Sequence, residues 1–87
     1  MNDEVLEIEF KKAVAFVSNY SKPLPADLLL RLYAYYKKAN QDNQQPGSKK
    51  PIINAFKANA LFQVRNISER EAKENYIKLV NEYFKLA

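Results

Sequence analysis

The run from Leu28 to Asn40, LLLRLYAYYKKAN, constrains this chain more than any other stretch. It contains neither glycine nor proline, so nothing in it breaks a helix. At about 1.5 Å per residue it makes a rod roughly 20 Å long. Tyr33, Tyr36 and Lys37 fall at i, i+3 and i+4 and share one face. Leu29, four residues before Tyr33, extends that stripe. The face therefore reads apolar, then aromatic with hydroxyls, then cationic. Such a gradient suits a molecule with an apolar tail, a ring and phosphates. From this stretch alone the favoured reading is a helix with a buried stripe and solvated lysines, which is what most apolar helical stripes are.

The rest of the chain reads as helices on either side of this one. The first runs from about Asn2 to Tyr20. Asn2 or Asp3 can cap it, and acidic residues fill its first turns, where the helix dipole favours them. Leu6, Phe10, Ala13, Val14, Val17 and Tyr20 follow helical spacing. Ser21-Lys22-Pro23-Leu24-Pro25 ends it, and Pro25 can occupy the first turn of the next helix, about Pro25 to Gln41. A polar loop through Pro46-Gly47 leads to a third helix, about Pro51 to Val64, with Ile52, Ala55, Phe56, Ala60 and Leu61 as its candidate buried side. Ser68-Glu69-Arg70-Glu71 is a capping box for a fourth helix reaching about Leu86, with Ala72, Tyr76, Leu79, Val80 and Tyr83 as its buried stripe. No segment alternates long enough to argue a strand. The expectation is one all-α domain of four helices over residues 1–87.

Composition removes most chemistries. The chain has 87 residues, no cysteine, no histidine and a single glycine, Gly47. Thiol chemistry, disulfides and imidazole acid–base steps are excluded, and one glycine cannot build a phosphate-binding loop. Asp3, Glu4, Glu7 and Glu9 are the only acidic group dense enough to suggest a metal, and an acidic first turn explains them. No apolar run follows Met1 as in a signal peptide, and none approaches a membrane span, so a soluble cytoplasmic protein is expected. The net charge of +4 favours anionic partners without choosing among phosphates, nucleic acid and anionic lipid. Binding without catalysis, cofactor or metal is the expectation. Tyrosine supplies a ring for stacking and a hydroxyl, and lysine a point charge for phosphate. Tyr76 and Lys57 are not singled out by spacing: one reads as a core tyrosine, the other as a solvated lysine.

Tyr33-Ala34-Tyr35-Tyr36-Lys37-Lys38-Ala39 resembles the YxxYKxA signature of the acyl-coenzyme A binding proteins. Phe10, Val14 and Val17 match the family's first-helix core with no gap before Tyr33. Pro46-Gly47 matches the Pro-Gly of its long loop, which is shorter here. Lys57 stands at the third-helix lysine, and Ser68 to Val80 is similar to the last helix with its binding tyrosine at Tyr76. The resemblance implies an up-down-down-up four-helix bundle that binds long-chain acyl-CoA esters as an intracellular carrier. It implies a monomer without nucleic-acid binding or stable membrane insertion, meeting acyl-CoA-using enzymes transiently. By the same resemblance Tyr33, Lys37 and Lys57 meet the phosphates, Tyr36 stacks on the adenine, and Tyr76 closes the nucleotide site. Leu29 and Leu30 line the acyl groove. Ala34 and Tyr35 lie inside the motif, and Ser18 stands where many members carry a basic residue.

Other departures fall on the third helix. Ile53 stands near another frequent lysine, with Lys49 and Lys50 as candidate replacements, and Ala58 and Leu61 replace the usual tryptophans. The volume of those rings is expected to be taken up by Phe56 or Phe62. Two alternative readings use the same residues: a basic module for nucleic acid or an anionic surface, stacking single strands on its tyrosines, or a helical module docking a partner helix on its apolar stripe. The lysines are scattered over several helices rather than clustered in a run, which argues against the first.

Overall fold

The computed structural model describes residues 2–40 and 50–85. They form four helices: α1 (Asp3–Ser18), α2 (Ala26–Ala39), α3 (Pro51–Gln63) and α4 (Glu69–Phe84). Among the described residues there is no strand. Among the described residues no helix is long and apolar enough to cross a membrane. The Pro46-Gly47 turn, Lys49 and the expected ends at Gln41 and Leu86 lie outside the described residues.

Local chemistry sets the boundaries. The Asn2 side chain accepts from the Val5 N–H at 2.8 Å and starts α1. This helix stops at Ser18 rather than Tyr20, with Asn19 as its C-cap, before the chain meets Pro23. Pro25 is the N-cap of α2 and not part of its first turn, because its ψ of 144° is extended. Its carbonyl accepts from the Leu29 N–H at 3.1 Å. Asn40 ends α2: both its backbone N–H and its side-chain amide donate to the Tyr36 carbonyl. Pro51 opens α3, where a missing N–H costs nothing. At α4 the Ser68 hydroxyl accepts from the Glu71 N–H at 3.0 Å, one half of the expected capping box. Lys85, at φ 56°, terminates α4 in the left-handed conformation.

The side-chain pairs between helices give their directions. Asp3 pairs with Arg70, Glu7 with Lys73, and Phe10 with Tyr76, and Phe16 packs on Phe84. The numbers rise together, so α1 and α4 run parallel. Lys57 lies over Tyr33, and Lys38 donates to the Arg65 carbonyl just past α3, so α2 and α3 also run parallel. With Lys38 at the end of α2 meeting the segment just before α4, α2 runs antiparallel to α4. This is the up-down-down-up order. α4 is the central helix, flanked by α1 and α2, and α3 contacts α2 alone. The result is a flat molecule, 37 × 30 × 16 Å.

The core lies between α1, α2 and α4. Phe10, Ala13, Leu28, Leu32, Ala39, Ala72, Tyr76, Leu79 and Val80 form one buried cluster, with Val14, Val17 and Phe84 packed against it. Two expectations fail here. Tyr83 is 44% exposed, and Phe84 takes the inward position instead. Both residues flank the stripe at 3.6 residues per turn, and α1 packs on the Val80–Phe84 side. The larger correction concerns α3, which buries no residue at all. Ile52 and Phe56 are 65% and 54% exposed, Ala55 is exposed, and Ala60 and Leu61 are only half-buried. Phe56 and Phe62 fill no vacated core volume, since both rings stand in solvent. With only α2 to lean on, α3 has no second wall against which to bury a stripe.

Asp3, Glu7 and Glu9 on α1 each have a cationic partner. Lys73 Nζ donates to Glu7 Oε2 at 2.6 Å, and this bond, with the ammonium's charge, holds the Glu7 carboxyl below its ordinary pKa. Lys12 lies 3.6 Å from Glu9. Because α1 and α4 are parallel, Asp3, Glu4, Glu7 and Glu9 share one end of the molecule with Glu69, Glu71 and Glu74.

Candidate functional site

The site is centred on Tyr33, where α2 meets α3. Its ring is half-buried on α2. Lys37 Nζ, one turn along the same helix, lies 5.6 Å from the ring centroid. Lys57 Nζ comes across from α3 to 5.2 Å of the same centroid. Both distances are within cation–π range. Two ammonium groups thus converge on one ring, where the negative face of the π-system tempers their mutual repulsion. An anion entering between them would be attracted by both charges, with the Tyr33 hydroxyl as a further donor.

One turn along α2, Tyr36 is 44% exposed. Its ring lies 6.2 Å from that of Phe10 at an interplanar angle of 26°, a stacked arrangement. Phe10 in turn packs edge-on against Tyr76 at 5.3 Å. Tyr36 stands at the solvent side of this group, and Phe10 and Tyr76 are both buried, at 3% and 4% exposed. Phe10 therefore braces Tyr36 from behind and leaves it a free surface for a planar ligand. Burial, and secondarily the neighbouring Tyr36, pushes the Tyr76 hydroxyl up to about 12.

The structure brings together Tyr33, Lys37 and Lys57, and it packs both Tyr36 and Tyr76 against Phe10. Leu29 and Leu30 begin the apolar end of the same helix, with Leu29 46% exposed and Leu30 half-buried. On the parallel α3, one turn before Lys57, stands Ile53, so the Leu29–Leu30 level continues onto an apolar side chain. Three expected residues lie elsewhere. Ala34 is buried at 1%. Tyr35 faces α4, where with Arg31, Asn75, Lys78, Leu79 and Glu82 it lines a separate cleft of ≈ 190 Å³. Ser18 is exposed in the last turn of α1, eight residues past Phe10 and so about 12 Å further along the helix. Phe10 was legible only as a core residue. Its place behind Tyr36 joins residues 26 positions apart in sequence, and no local pattern signals that.

The fold and this cluster define a class: a small helical binding protein with a cationic, tyrosine-walled site beside an apolar surface. The family model described as "Acyl CoA binding protein" matches residues 7–80, and the chain belongs to that family. This is a family of binding proteins rather than catalysts, and its ligand is acyl-CoA. No curated protein and no solved structure matches the chain.

Proposed function

We propose that this protein binds long-chain acyl-CoA esters without turning them over and acts as an intracellular, cytoplasmic carrier for lipid metabolism. The observation that carries the reading is the convergence of Lys37 and Lys57 on the Tyr33 ring, with the exposed face of Tyr36 one turn away. In this reading the two lysines and the Tyr33 hydroxyl hold the phosphates. Tyr36 stacks on the adenine, supported by Phe10, and Tyr76 backs the nucleotide site from the core. Leu29 and Leu30 take the apolar chain. Each methylene removed from water contributes ~0.8 kcal/mol, so tail length governs the difference in affinity between esters. The protein works as a monomer that meets acyl-CoA-using enzymes transiently.

Titration calorimetry with acetyl-, octanoyl- and palmitoyl-CoA tests the tail assignment, and affinity is expected to climb steeply along the series. Equal affinities for all three would remove the apolar groove. Incubation with palmitoyl-CoA while following free thiol tests the absence of turnover. Steady thiol release in proportion to protein would end the carrier reading.

A further inference from the structure

Two stripes that the Tyr33 cluster leaves unused face each other between α2 and α4. Arg31 and Tyr35 are four residues apart on α2 and share one face. Each is two residues from Tyr33, so at about 100° per residue they lie on the side of the helix away from it. On α4, Asn75, Lys78, Leu79 and Glu82 fall at i, i+3, i+4 and i+7 and form the matching stripe. These side chains line the cleft of ≈ 190 Å³. Because the two helices are antiparallel, Arg31 lies toward the Glu82 end of the cleft and Tyr35 toward the Asn75 end.

The polar groups of the cleft are mostly donors. Arg31 offers its guanidinium fork, Lys78 an ammonium, Tyr35 a hydroxyl and Asn75 an amide that both donates and accepts. The Arg31, Tyr35 and Asn75 side chains make no hydrogen bond or ion pair with another described residue. Lys78 Nζ and Glu82 Oε1 are 3.9 Å apart on side chains 74% and 63% exposed, a loose pair that leaves the ammonium available. Two cations and one carboxylate leave the cleft a single positive charge, which suits a monoanion better than a phosphate dianion. The Arg31 fork matches the two oxygens of a carboxylate. Tyr35 and Leu79 supply the apolar lining. The volume is below the roughly 300–1,000 Å³ of pockets for drug-sized ligands, and at ~30 Å³ per water it corresponds to about six waters. That admits a small organic acid and excludes a nucleotide.

We infer that the α2–α4 cleft is a second binding site, for a small organic carboxylate that carries a ring or short apolar body and a distal hydroxyl. The carboxylate lies between Arg31 and Lys78. The body rests on Tyr35 and Leu79, and the hydroxyl donates to the Asn75 amide oxygen. Glu82 competes with the ligand for the two cations and so sets the affinity from within the site. This site is on the other side of α2 from Tyr33 and does not rest on the acyl-CoA reading.

The test is a titration of the full chain with para-hydroxybenzoate, followed by amide NMR at constant ionic strength, with para-hydroxybenzyl alcohol as the uncharged match. A site so small and open is expected to saturate at millimolar concentration, on the order of 1–10 mM. Saturable shifts are expected at the backbone amides of Arg31, Tyr35, Asn75 and Lys78, and the alcohol is expected to produce none. Arg31→Gln is expected to weaken the probe about tenfold, the low end for a hydrogen bond to a charged group, because the cleft is open to water. Glu82→Gln keeps the size and removes the competing charge, and is expected to tighten binding by up to about fivefold. Both positions are exposed, so both variants should fold. Lys11→Ala removes a cation from a side chain 75% exposed on α1 and is expected to change nothing. Shifts centred on Tyr33 and Lys57, equal binding by the alcohol, an Arg31→Gln affinity equal to wild type, or an equal loss with Lys11→Ala would each overturn the proposal. Inorganic phosphate that saturates the same amides at lower concentration than the probe would overturn the choice of a carboxylate. Saturation by the probe in a protein that fails to bind palmitoyl-CoA would support this site and overturn the carrier function.

Discussion

α3 and α4 invert what their compositions suggest. α3, PIINAFKANALFQ, has only one charged residue, whereas α4, EREAKENYIKLVNEYF, is mostly polar. Yet α4 buries Ala72, Tyr76, Leu79 and Val80, and α3 buries nothing. Burial follows from neighbours and not from hydrophobicity alone. α4 lies between two helices and needs one apolar stripe. α3 touches one helix, so its apolar side chains stand beside the Tyr33 side of α2 without entering the core. Stability and binding are therefore separated between the two helices, and substitutions can test that division.

The largest effect on stability is expected in the core. Leu32→Ala removes a side chain that is 3% exposed among α1, α2 and α4, and should cost about 2–5 kcal/mol in urea unfolding. Phe56→Ala deletes a larger side chain from α3 but should stay within about 0.5 kcal/mol of wild type. Comparable losses for the two would make α3 a core helix and dissolve the contrast.

Binding should respond in the opposite pattern. Lys57→Ala, on α3, is expected to weaken palmitoyl-CoA by roughly ten- to a hundredfold, the worth of a hydrogen bond to a charged group, with unfolding unchanged. Tyr36→Ala should lose a similar amount, since base stacking is worth about 1–3 kcal/mol. Lys11→Ala is the control. It removes the same charge from a side chain that is 75% exposed on α1. If it weakens binding as much as Lys57→Ala, net charge and not a built site is responsible.

Much of the architecture was legible because its signals are local. Asn2, Pro51 and Ser68 mark helix starts through their own backbone or side-chain chemistry, and the stripe through Phe10 and Ala13 has a helical period. The site was legible only in part. Tyr33, Tyr36 and Lys37 share a face by spacing, but Lys57 reaches Tyr33 from another helix across residues 41–49, and it was found by family resemblance. The role of Phe10 behind Tyr36 and the inward turn of Phe84 in place of Tyr83 depend on how α1 crosses its neighbours. Periodicity within one helix carries no information on that crossing.

A pH titration sharpens the position of Tyr76 at the boundary between core and site. Its hydroxyl is raised to about 12 in the folded chain, against about 10 for an exposed tyrosine. Between those values the unfolded chain releases the proton first, so stability is present in full below pH ~10 and falls as pH rises toward ~12. The loss assignable to this residue is at most about 2–3 kcal/mol. Tyr76→Phe should flatten the alkaline decline in melting temperature relative to wild type. An identical decline in both proteins would mean that Tyr76 is as solvated folded as unfolded, and that its burial behind the site is wrong.

The smallest expected effect is at Ser18, where the resemblance led to a basic residue. The last turn of α1 has no cation, although the helix dipole places partial negative charge there. Ser18→Lys should therefore stabilise the fold by about 0.3–1 kcal/mol whatever it does to ligand. Its reach toward the phosphates is limited by geometry, since the position is about 12 Å along α1 from Phe10, the residue that touches Tyr36. Affinity for palmitoyl-CoA should rise less than tenfold, a smaller change than the loss in Lys57→Ala. Both effects should fade on raising salt, because a charge at an exposed helix end is screened along with any long-range pull on the ligand. A gain in affinity that equals the Lys57→Ala loss and survives high salt would bring the end of α1 into the phosphate site. The cationic site would then span α1 as well as α2 and α3, and the contrast between α3 and the helices that build the core would have to be redrawn.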